Sequence, residues 1–389
     1  MHENVALLAK GLLRHVDSSW LELTIALSIY PLVWRTYMWA LDAFDEPYGF
    51  LGSTEWLMHA TTGMSLAGLV VLITYVPLYL LRLAIHGMPA TPTDHTHEAT
   101  LLVTVAIMLS NFSGLVDITL VPLVADLAVY VWRGGAFLSM AMAILAFPLH
   151  VRSRQPTTHQ LFLPAIVTSV CASDLTLIQQ PRTASSLLSL GYVIWGAVLV
   201  PSLCFAVRYI RLVIGHRRLT CLLSPLALGS QLAVAVMGLG VQSQRVWASP
   251  VGPATAPLLL GELAMAAGAI LGLLLWAAAA MWWVGAHALA WQNGFRYVHL
   301  LKPQFALVLP LASFALATIY VARIWASTSA LVLSQLLILY VSAIMLLQPA
   351  AYSAHVLYTT VKQRHVFCRH SPAPLAACSS QLPSYDSIS

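Results

Sequence analysis

The chain has 389 residues, 59% of them hydrophobic and only 8% charged, with 19 Lys and Arg against 14 Asp and Glu. Soluble domains carry about 25% charged residues, so this composition excludes a water-facing globular protein. Apolar runs beyond the roughly 20 residues that cross a bilayer as helix, without period-2 segments of about ten, exclude a membrane β-barrel. The expected class is an all-α polytopic membrane protein, and the basic excess reports its orientation instead of a nucleic-acid partner.

Residues 1–17 read as a polar, cytosolic N-terminal segment without a cleavable signal. Ten spans follow, at about 18–40, 55–82, 100–121, 124–147, 160–180, 186–210, 219–243, 256–287, 303–325 and 328–360. They pair into five helical hairpins, forming one transmembrane domain over 18–360. The breaks fall at Asp42 to Pro47, the His-rich stretch Pro89 to Glu98, Arg152 to His159 and comparable polar segments. Residues 361–389 are Ser- and Pro-rich and cannot bury enough apolar area to fold, so a disordered tail is expected.

With ten spans and a cytosolic N-terminus, the inner segments hold all but Arg35, Arg133, Arg182, Arg245 and Arg323 of the 19 Lys and Arg. The positive-inside rule therefore predicts both termini in the cytosol. The five cysteines form no CxxC pair and no disulfide framework.

An ionisable side chain in hydrocarbon is costly and marks a site by default. Glu22, Asp117, Asp174 and Glu262 lie within spans, with His287 and Arg323 nearer helix ends. Asp174 is accompanied by Thr168, Ser169, Cys171, Ser173 and Thr176, so the fifth span is polar for its depth; a cavity wall and interhelical hydrogen bonding both account for that. Pro31, Pro164, Pro225 and Pro310 fall in spans one, five, seven and nine and predict helix kinks, although Pro77 and Pro201 also interrupt even spans. His95-Thr96-His97-Glu98 reads as a solvated loop without a third metal ligand, and neither a metal nor another cofactor is expected. No hydrolase, P-loop or zinc-protease motif occurs, which argues against an enzyme.

Four segments carry a family resemblance: Leu12 to Leu27, Thr158-His159-Gln160-Leu161-Phe162-Leu163-Pro164, Leu223-Ser224-Pro225-Leu226-Ala227-Leu228-Gly229-Ser230-Gln231, and Phe305 to Thr318 around Pro310. In that order they resemble the opening and the fifth, seventh and ninth helices of the tellurite-resistance and dicarboxylate transporter family, within the voltage-dependent anion channel superfamily. That group includes fungal malate permeases, fungal sulfite efflux pumps and plant slow anion channels. The resemblance implies five hairpins around a central pore, odd helices lining it, even helices outside, a small anion as solute, membrane lipid as surroundings and a homotrimer. It also implies that kinks at Pro31, Pro164 and Pro225 polarise the path. Leu309, Leu311, Pro310 and Phe314 would form the gate, with Ser169, Ser173, Asp174, Ser224, Gln231, Ser313 and Thr318 along the path.

This chain departs from the family pattern in its glycine-free Thr24 to Ser28 and in Pro310-Leu311-Ala312. The expected activity is plasma-membrane export of a small anion, sulfite ahead of malate. The alternatives are a dicarboxylate transporter of the same family, an intramembrane enzyme using Asp174 and Glu262 as acid and base, and a scaffold that has lost its pore.

Overall fold

The computed structural model describes residues 19–41, 44, 54–86, 95–115, 122–152, 161–213, 219–247, 258–292 and 307–346. The N-terminal segment, the tail and Asp117 lie outside them. Among the described residues there are ten α-helices and no strand: α1 Ser19–Leu41, α2 Thr54–His86, α3 His95–Leu115, α4 Pro122–Arg152, α5 Leu163–Leu175, α6 Pro181–Val213, α7 Leu219–Trp247, α8 Leu258–Gln292, α9 Val308–Ile324 and α10 Thr328–Leu346. The order and spacing match the ten spans expected from hydropathy. Six helices are long and apolar enough to cross a membrane: α2, α4, α6, α7, α8 and α10. Within α3, α5 and α9 the apolar helices are shorter, over Ala99–Ser113, Leu163–Ile178 and Val308–Ile324.

The odd helices form a closed ring. Each packs on the next, α1 on α3, α3 on α5, α5 on α7 and α7 on α9, and α9 returns to α1. Even helices sit outside: α2 on α1, α4 on α3 and α5, α6 on α5 and α7, and α8 on α7 and α9. Helix α10 is tied to α1 where Tyr30 Oη meets Ser342 Oγ at 2.6 Å and Gln335 Nε2 donates to Tyr37 Oη at 2.6 Å. Burial separates the layers. In α7, 89% of the most apolar window is buried inside the protein, against 22% in α2 and in α8. Exposed leucines and isoleucines of the even helices form the surface that hydrocarbon covers.

Close approach holds the two layers together. A Cβ at Gly268 of α8 would stand 2.6 Å from the Val236 carbonyl oxygen of α7 and 3.3 Å from Gly240 Cα, so the two backbones cross where neither has a side chain. Indole N–H groups of even helices also donate to odd ones: Trp132 to Thr168 O at 2.9 Å, Trp195 to Leu232 O at 3.1 Å, Trp282 to Leu222 O at 2.8 Å and Trp276 to Thr318 Oγ1 at 3.0 Å.

Three sequence expectations change. Pro164 and Pro310 are not interior kinks: they stand in the first turns of α5 and α9, where the missing N–H has no intrahelical acceptor to serve. Pro31 and Pro225 do lie inside α1 and α7, but what such a proline releases is a carbonyl in the preceding turn, an electron-rich group. At both, the carbonyl three residues earlier takes a donor from a neighbouring helix: Ser28 O from Asn111 Nδ2, and Leu222 O from Trp282 Nε1. These bends therefore present no free amide to an anion. Finally, His95 to Glu98 are the first turn of α3 instead of a loop.

Candidate functional site: the axis of the ring

The contacts to outer helices fix which face of each ring helix looks inward. On α5, Thr168 faces α4 and Ser169 donates to Gly191 O of α6 at 2.9 Å. Helical spacing then turns Leu163, Val167, Val170 and Asp174 to the axis. On α9, Phe314 stacks against Trp276 and lies 5.8 Å from the Trp283 ring, and Thr318 accepts from Trp276, so this face belongs to α8. The opposite face carries Leu309, Ser313, Leu316 and Tyr320. On α7 the inward row is Ala227, Gln231, Val234 and Gly238, with Ser224 at its edge; α1 supplies Ile25, Ile29, Leu32 and Thr36, and α3 supplies Val103, Ile107 and Ser110.

The axis is polar at one end and apolar in the middle. Side chains of Ile29, Val103, Ile107, Val167, Val170, Val234 and Leu316 are each exposed by no more than 5%. They belong to one apolar core, and branched hydrocarbon of this kind across a conduit would act as a water-expelling constriction. Beside this plug, Gln231 Nε2 donates to Ser313 Oγ at 2.7 Å, linking α7 to α9, while Gln231 Oε1 is buried without a partner.

The polar end gathers groups from all five ring helices. Arg35 of α1 reaches across to α3, donating from Nη1 to Asn111 O and from Nη2 to Ser110 O, each at 2.7 Å. Ser110 Oγ is hydrogen-bonded to Asp174 of α5, whose charge lies within electrostatic range of Arg35 and of Tyr320. Asp174 Oδ2 is buried without a hydrogen-bond partner. Arg323 of α9 donates to Trp39 O and lies 4.0 Å over the Trp39 ring, whose other neighbour is Tyr320. Helix α7 yields space: a Cβ at Gly238 would stand 2.8 Å from Ser173 Oγ and 3.4 Å from Tyr320 Oη.

Of the sequence-derived path, the structure joins Gln231 to Ser313, whose Oγ donates to Leu309 O, and separately gathers Ser173 and Asp174 near Gly238 and Tyr320 at the polar end. It turns Ser169, Thr318 and Phe314 to the outer helices, and Leu311 lies off the inward row of α9. Glu262 is exposed on the outer face of α8, so it does not converge with Asp174 on a common pocket. Arg35, Ser110, Asn111 and Tyr320 escaped the sequence reading. Arg35 lies 17 residues into an apolar run, and its depth there, as an intramembrane cation, is the signal that marks it.

A closed ring of odd helices, surrounded by apolar even helices, is the architecture of a polytopic membrane protein. The particular family follows from the sequence match: residues 15–352 fit the voltage-dependent anion channel family, and the chain belongs to it. Among curated proteins none matches the chain. Family membership supports anion channel or transporter activity and leaves the anion open.

Proposed function

We propose that this chain exports a small oxyanion across the plasma membrane, sulfite ahead of malate, along the axis of the odd-helix ring. The observation that carries the reading is the ring itself: two guanidinium groups at one end of its axis, a hydrocarbon plug at its centre, and at the other end the first turns of α5 and α9, whose caps Phe162 and Leu307 make no side-chain hydrogen bond. Helix starts of this kind leave positive dipole ends for an arriving anion without placing a fixed cation there. Charge placement orients those starts toward the cytosol. The electropositive character thus has two sources, helix starts inside and arginines outside.

The plug favours the smaller substrate. Passage needs Val170, Val234 and Leu316 to part, and a compact inorganic anion demands less opening than a C4 dicarboxylate. The gate on this reading is the Leu316 layer, with Leu309 at its mouth; Leu311, Pro310 and Phe314 support it from behind.

Purified chain in lipid vesicles should release sulfite faster than malate, and Leu316→Ala should raise sulfite flux several-fold by removing part of the plug. Cells lacking their own exporter should gain tolerance to graded sulfite. Vesicles no more permeable to any anion than empty ones would overturn the transport reading. Malate flux exceeding sulfite flux would reverse the order of substrates.

A further inference from the structure

Asp174 poses a problem for an anion conduit. A carboxylate on the axis repels every anion that reaches it, yet Asp174 looks inward at the polar end and its Oδ2 is buried with no partner. A buried acceptor without a donor is costly to maintain, and the neighbouring helices do not relieve it. Helix α3 offers Ser110 Oγ, already bonded to this carboxylate, and Cys171 of Asp174's own helix α5 shares that hydroxyl. Arg35 spends two N–H donors on the Ser110 and Asn111 carbonyls and acts on Asp174 by charge. Across the ring, α9 presents Tyr320 and Arg323, both in range of this charge cluster. Helix α7 contributes Gly238, and α4 and α6 meet α5 through Trp132, Ser139 and Gly191, none of them titratable.

The missing partner for Oδ2 is therefore a hydrogen-bond donor that arrives along the axis. Nearby guanidinium charge disfavours a metal or ammonium cation and favours an anion. One kind of solute satisfies both demands, an oxyanion that carries its own O–H.

We propose that Asp174 is a specificity-determining residue: its unpartnered carboxylate oxygen accepts the O–H of a hydrogen-bearing oxyanion whose negative oxygens face Arg35 and Arg323, and it repels anions that lack a proton. Hydrogensulfite, a hydrogen-carboxylate and dihydrogenphosphate share the required chemistry; nitrate and chloride lack it. The inference rests on the transport reading above and narrows its substrate class. Discrimination of this kind is strong, because an anion without a donor leaves the buried acceptor unpaired and adds repulsion.

The test uses the full chain in vesicles at mildly acidic pH, where sulfite is chiefly hydrogensulfite, and compares its flux with that of nitrate and chloride. Wild type is expected to prefer hydrogensulfite over nitrate about tenfold or more. Asp174→Asn, which removes the charge and keeps the shape, should collapse that ratio by about tenfold, chiefly by raising nitrate and chloride flux. Asp174→Glu, which keeps the acceptor, should retain the preference, and it serves as the second variant should the amide form fold poorly. Equal wild-type fluxes of hydrogensulfite and nitrate would overturn the inference while leaving anion transport standing. So would an Asn variant that keeps the wild-type ratio. Failure of every anion to move would instead strike at the transport reading beneath it.

Discussion

The inner ring and the outer layer are built from equally apolar sequence and held by different forces. Outer helices such as α2 and α8 keep most of their hydrophobic side chains on the surface, where lipid is as good a solvent as protein, so burial alone cannot drive them onto the ring. What fixes them is contact at close range: the glycine crossing of α8 on α7, and indole N–H bonds from α4, α6 and α8 to backbone or hydroxyl oxygens of α5, α7 and α9. Ring helices are buried on all sides and must pair every polar atom among themselves. Most are paired; among the described residues the buried side-chain atoms of the ring left without a partner are Trp34 Nε1, Asp174 Oδ2, Ser230 Oγ, Gln231 Oε1 and Gln242 Oε1, of which those of Asp174 and Gln231 lie on the inward rows. The lesson is that the outer layer is attached at points, while the ring is packed throughout and turns two of its unpaired atoms, Asp174 Oδ2 and Gln231 Oε1, to its axis.

If attachment is local, one crowded point should detach a whole helix. Gly268→Leu places a branched side chain where a Cβ already stands 2.6 Å from the Val236 carbonyl. The expected cost is about 3 kcal/mol, read as a large fall in the melting temperature of detergent-solubilised protein; an unchanged melt would mean that α8 is held elsewhere. The ring should respond more selectively. Arg35→Met keeps the length of the side chain and removes both bonds to the α3 carbonyls, at about 2 kcal/mol. It should also lower anion flux, whereas a purely structural Arg35 would change the melt and leave flux per folded molecule intact.

Much of the architecture was legible because hydrocarbon imposes a simple code. Ten runs of apolar residues gave ten helices within a few residues, and the hairpin pairing of short connections followed. Alternation of inner and outer helices came from the family likeness at Pro225 and Pro310; composition alone does not distinguish α7 from α8. The site was read only in part. Asp174, Ser173, Gln231 and Ser313 stand out in the sequence because polar residues in a span advertise themselves. Phe314 and Thr318 misled because residues one helical turn apart from the inward row look identical in sequence, and only the positions of Trp276 and Trp283 show which face α8 covers. Proline misled for another reason. Its effect depends on its distance from the helix start, which hydropathy places to within about four residues, so Pro164 and Pro310 read as kinks when they are first-turn residues.

Smaller changes sharpen the contrast between the layers. Trp282→Phe retains the ring and deletes the donor that answers the Leu222 carbonyl below Pro225, so a loss of about 1 kcal/mol is expected. The same exchange at Trp283 of the same helix, whose indole N–H is buried without a partner, removes similar bulk and no hydrogen bond, so a smaller loss is expected. Equal effects at both sites would show that the indoles act by bulk and not as donors to the ring.

The smallest effect is expected where the two layers are joined covalently. Ala326, between α9 of the ring and α10 outside it, has φ of 46°, a left-handed conformation that burdens any residue with a Cβ. The turn nonetheless closes as a helix-terminating motif, with Ser327 N–H donating to Ala322 O and Trp325 N–H to Val321 O, both at 3.0 Å. Ala326→Gly removes the steric strain and adds unfolded-state entropy, so the two contributions partly cancel and a net gain of about 0.5 kcal/mol is expected. A slightly raised melting temperature with unchanged anion flux is the predicted pair of readings. A fall in stability would mean that the chain's freedom in the unfolded state outweighs the strain, and that the left-handed alanine is the better terminator of α9.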